Sequence, residues 1–99
     1  MNVSIRSISD LTASGKKTQT DRKHALSVDV EDWFQVWALS NVIKREDWDS
    51  HSLRVEKTSQ DLLDLFSEKD ATCTFFILGW VAERLPMLIR RMVDEGHEI

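Results

Sequence analysis

Three carboxylates, Asp29, Glu31 and Asp32, fall within four residues at the end of the stretch HALSVDV (24–30). In that stretch Leu26, Val28 and Val30 recur at period two, which predicts a half-buried strand. Asp29 and Glu31 share a parity and therefore a face, whereas Asp32 is free to swing round once the strand has ended. Two carboxylates converging at a strand end can hold a divalent metal, or one can hold the metal while the other takes a proton from its water. On spacing alone, a solvated acidic loop capping the strand is the favoured account, since acidic loops are common. Trp33, Phe34 and Trp37 follow at once. Their rings either offer a flat platform to a ligand or plug the space above the strand.

The other reactive side chains lack partners. Cys73 is the single cysteine, so an internal disulfide framework and a CxxC metal knot are both excluded. It lies in an apolar run and reads as buried and inert. His24 precedes the strand and His51 lies in the connection after it, neither with a partner at ligand spacing. A formal charge of −4 argues against nucleic acid as a partner. The longest nearly apolar run, 75–82, is far shorter than the roughly 20 residues a membrane span requires. Residues 1–10 contain no apolar signal-peptide core, which makes the cytoplasm the expected location.

The elements that must hold the acidic cluster follow from periodicity. Residues 1–23 are rich in Ser, Thr and Lys and read as a disordered polar leader, with 24–99 as the folded part. After an aromatic-rich connection (33–53), Val55, Leu62, Leu63, Leu65 and Phe66 mark the apolar side of a helix over 54–68. ATCTFFIL (71–78) is short, β-branched and aromatic, and predicts a strand buried on both faces, Phe75 and Phe76 included. Residues 80–84 predict a first helical turn, Pro86 opens the main helix, and Gly96 suits its C-cap. His97-Glu98-Ile99 then reads as the start of a third strand, with the two full strands as parallel neighbours.

Strand, helix, strand, helix and strand start, in that order, predict a parallel α/β layer joined by right-handed crossovers. In such layers the C-terminal ends of strands carry the site, which is where the acidic cluster lies. Residues 24–99 amount to roughly a third of a typical α/β barrel of about 250 residues, so the expectation is an incomplete N-terminal part of a larger domain. A 99-residue chain of this kind is expected to fold poorly on its own.

Two strings carry a resemblance. SVDVEDWF (27–34) and TFFILGWVAERLP (74–86), followed by GHEI (96–99), resemble the start of the polysaccharide deacetylase family, the NodB-homology domain of the carbohydrate esterases. More narrowly they are similar to the branch associated with exopolysaccharide and exosortase loci. The resemblance covers about residues 24–99. It implies an α/β fold, here the first βα units of a distorted (β/α) barrel, incomplete in this chain. It also implies hydrolysis of N-acetyl groups from amino sugars of a polysaccharide or oligosaccharide. The implied cofactor is a divalent metal, usually zinc, held by one acidic residue and two histidines.

Carried over onto this sequence, Asp29 matches the first aspartate of the family's first motif, the general base. The second carboxylate follows after Val30 rather than directly, so the implied metal ligand is Glu31 or Asp32, with Asp-x-Asp relatives favouring Glu31. The two histidine ligands are expected beyond Ile99, and His97 is expected to pack beneath the site. Trp33 and Phe34 are the expected sugar-binding rings. Alternatives are a non-catalytic α/β remnant or interaction piece, and a hydrolase of cyclic amides or ureides from the same superfamily.

Overall fold

In the computed structural model, which describes residues 1–7 and 23–99, helices cover one face of a three-stranded sheet. Strand β1 (Asn2–Ser7) pairs antiparallel with β2 (His24–Val30), and β2 pairs parallel with β3 (Thr74–Ile77). Helix α1 (Val55–Glu68) connects β2 to β3, and α2 (Gly79–Arg84) and α3 (Pro86–Asp94) follow β3. Between β2 and α1 the chain runs through 3-10 turns at Trp33–Gln35, Trp37–Leu39 and Arg45–Ser50. A parallel bridge from Thr74 to Glu98 starts the expected third parallel strand. It is built by the Phe75 N–H donating to the Glu98 carbonyl at 2.8 Å and the Glu98 N–H to the Cys73 carbonyl at 3.0 Å.

β2 forms as its alternation predicts. Val28 and Val30 point into the core, and their register partners Phe75 and Ile77 on β3 lie on the same side. α1 brings Val55, Ser59, Leu63 and Phe66 onto that core at helical spacing, and α3 brings Leu88 and Met92. Burying each large apolar side chain is worth about 1.5–3 kcal/mol, so this single layer is the main source of stability.

Both long helices end in the same motif. After α1 the Asp70 N–H donates to the Ser67 carbonyl and the Ala71 N–H to that of Phe66. After α3, Gly96 and His97 donate to Val93 and Met92 in the same pattern. These are Schellman turns, and their left-handed residues are Asp70 at φ 51° and Gly96 at φ 89°. Each turn delivers the chain straight to the next strand.

Two expectations are corrected. Residues 2–7, read as part of a leader, form β1; the polar composition obscured the alternating Val3 and Ile5, and β2 has an edge of unpaired backbone groups to satisfy. The rest of the leader lies outside the described residues. Phe76, read as core, is 61% exposed, because nothing among the described residues covers the second face of the sheet.

Candidate active site

Asp29 lies on that open face, in register with Phe76 of β3 and Asn2 of β1. The parity that buries Val28 and Val30 turns Asp29 the other way. Glu31 is half-buried just past the end of β2. Asp29 and Glu31 together line an open groove of about 240 Å³ with Val30, Phe76, Ile77 and Leu78. The Leu78 N–H donates to the Val30 carbonyl at 3.2 Å, so the two strands stay joined up to the groove. The groove therefore sits at the C-terminal ends of two parallel strands. It presents two carboxylates beside an apolar wall. Phe76 and Leu78 belong to this site although the sequence reading placed neither there. The available signal was parity: Phe76 in β3 shares the face of its register partner Asp29.

Asp32 is elsewhere. Its side chain is 1% exposed, and its two oxygens accept three backbone N–H bonds. Oδ1 takes the Trp33 N–H at 2.8 Å; Oδ2 takes those of Arg54 at 2.8 Å and Val55 at 3.0 Å. The carboxylate thus caps the 3-10 turn that follows it and also the N-terminus of α1, whose own Arg54 side chain provides no cap. Gln35 closes a capping box by accepting the Asp32 N–H on Oε1 at 2.8 Å. Asp32, the second candidate metal ligand of the sequence reading, does not line the groove with Asp29 and Glu31.

The aromatic residues divide. Phe34 is 1% exposed at the centre of a cluster, with ring centroids 5.6 Å from Trp33, 5.1 Å from His51, 5.8 Å from Trp80 and 6.2 Å from Trp48. It has no free ring face, which corrects its expected role as a sugar platform; once the strand ends, period two no longer indicates which way a side chain points. Trp33 donates its indole N–H to the Ser52 carbonyl at 3.3 Å and carries the Arg54 guanidinium 5.3 Å above its ring, away from the groove lining. Arg84 lies 3.8 Å over Trp80 and reaches Asp49 at 2.7 Å, tying the connection to α2. Trp37 stands furthest out in solvent of these rings, at 89% exposure.

His97 packs as expected. Its Nδ1 accepts the Cys73 N–H at 3.2 Å, and its ring lies 5.1 Å from Phe75 and 5.6 Å from Phe66. Burial holds its pKa below the ordinary histidine range, against an opposing pull from Glu95. The Cys73 thiol is pushed up to about 11 by burial, so it stays protonated at neutral pH. Among the described residues no three His, Cys, Asp or Glu side chains gather at one point. Asp29 and Glu31 fit the oxygen part of a divalent-cation site, but fall short of the three protein ligands of a catalytic zinc centre.

The sequence profile described as "Polysaccharide deacetylase" matches residues 47–99, more than half of the chain. This chain belongs to the polysaccharide deacetylase family. The match begins downstream of the acidic segment and covers α1, β3, α2 and α3. Among curated proteins the chain is 46% identical over 39 residues to a chitooligosaccharide deacetylase of Sinorhizobium fredii, and equally so to one of Bradyrhizobium. It is 42% identical over 38 residues to a peptidoglycan-N-acetylglucosamine deacetylase of Bacillus cereus. These stretches cover 39%, 39% and 38% of this chain and 18% of each relative. No solved structure matches. The mixed α/β sheet agrees with a partial domain of this family, and among the described residues no helix is long and apolar enough to cross a membrane.

Proposed function

We propose that this chain supplies the acidic strand of a metal-dependent deacetylase acting on N-acetylated amino sugars in a polysaccharide or oligosaccharide. The observation that carries the reading is the groove at the ends of β2 and β3, where Asp29 and Glu31 meet in a chain of the deacetylase family. The relatives are named for chitooligosaccharide and for peptidoglycan N-acetylglucosamine, which share the N-acetylated amino sugar.

In this reading Glu31 is the carboxylate donor to the cation and Asp29 the general base. When bound, a divalent cation polarises the acetamide carbonyl and lowers the pKa of a coordinated water. Asp29 stands on the strand proper, on a backbone fixed by partners on both sides, as suits a group that must meet a water proton in one geometry. Glu31, just past the last strand residue, stands at the groove's rim. Phe76 and Leu78 form an apolar wall beside the two carboxylates. The remaining donors come from outside the described residues, and the exopolysaccharide branch is the source of substrate that the strings 27–34 and 74–86 favour.

Acetate release from N-acetylated chitooligosaccharides by the full-length protein tests the reading. Release that a chelator abolishes and added zinc restores is the expected result. Opening of a cyclic ureide with no acetate from any N-acetylated glycan overturns the substrate class.

A further inference from the structure

We propose that Asp32 is a positioning residue, a buried latch that fixes the direction in which Glu31 leaves β2 by clamping the strand end to the start of α1. The inference rests on the reading of Glu31 as a working carboxylate and assigns its neighbour a different task. The 21 residues between Asp32 and Arg54 form a long excursion, and a chain leaving a strand into such a loop has many directions open to it. Here the two ends of the excursion meet. Asp32 Oδ2 holds the N–H groups of Arg54 and Val55, and the Trp33 indole N–H holds the Ser52 carbonyl beside them.

The latch is anchored on each side. Behind it, Val30 is buried in the core and accepts the Leu78 N–H; ahead, Val55 is buried at the first turn of α1. Glu31 is the single residue between the buried Val30 and the buried Asp32. Its backbone is therefore held at both neighbours while its side chain reaches the groove. The Gln35 amide completes the same clamp. Its Oε1 is committed to the Asp32 N–H, which leaves Nε2 buried without a partner among the described residues.

Two variants of the full-length protein test this. Asp32→Asn keeps the shape but must turn an amide N–H toward one set of backbone donors; Asp32→Ser keeps a capping oxygen on the Trp33 side and cannot reach Arg54. In the wild type the Arg54 and Val55 amides should be protected from hydrogen exchange, and both variants should expose them. Well below the variants' melting temperatures, kcat for acetate release should fall about 10–100-fold, the range for lost outer-shell support, with KM within about twofold and bound metal still stoichiometric. Undiminished kcat in folded variants would make Asp32 a stability residue only and overturn the proposal. Stoichiometric loss of metal would make it a ligand and overturn it too, as would unprotected Arg54 and Val55 amides in the wild type. A wild type that neither binds metal nor releases acetate sinks the functional reading itself, and this inference with it.

Discussion

Burial strips water from the His97 imidazole while its Nδ1 accepts the Cys73 N–H, so the fold selects the neutral ring. The folded pKa is depressed, and the unfolded chain therefore binds the proton more readily. The contribution of His97 to stability is complete above the unfolded value of about 6.5 and is lost as pH falls toward the lower folded value. Urea midpoints from pH 8 to pH 5 should fall for the wild type and fall less for His97→Gln, which keeps an acceptor and does not titrate. Parallel slopes for the two would contradict the assignment. At this scale the sequence was legible where pattern decides burial: Val28, Val30, Leu63, Phe66 and His97 all pack as expected. It was not legible where a distant segment decides. Asp32 turns inward because Arg54 and Val55 arrive with unpaired N–H groups, and their approach across 21 residues leaves no local trace.

Among the elements, the helix predicted over 54–68 stands at Val55–Glu68, and the strand predicted over 24–30 at His24–Val30. The second strand is shorter than its apolar run, Thr74–Ile77, since the residues before it complete the Schellman turn from α1. Leu65, assigned to the buried side of α1, stands exposed, while Ser59 takes a fully buried place; the stripe at 55, 59, 63 and 66 selects small as well as apolar side chains where α1 approaches the sheet. The turn after α3 depends on Gly96, whose φ of 89° L side chains rarely adopt. A Cβ there would meet nothing within 4 Å, so the cost of Gly96→Ala is backbone strain alone. It should destabilise the folded protein by roughly 1–2 kcal/mol in denaturant melts. A neutral result would mean that the turn relaxes without loss.

At the scale of the whole molecule, the described residues cover the sheet on one face, whereas parallel strands in folded domains are covered on both. The second face carries Asp29 beside Phe76, and the matched stretches amount to under a fifth of the relatives' length. The 99-residue chain alone should self-associate through this face, and Phe76→Glu should reduce light scattering at equal concentration. Equal scattering would place the adhesive surface elsewhere, with the groove on the outer face of α3 next to test. Asp29 and Glu31 line one groove at the end of this face, where Asp29 is the base in the proposed function. The most direct measurement is the rate of acetate release by Asp29→Asn full-length protein beside its bound metal. A fall of about 10²–10⁴-fold with metal content nearly unchanged is the predicted result. Wild-type turnover, or metal lost with Asp29→Asn but kept with Glu31→Gln, would contradict it.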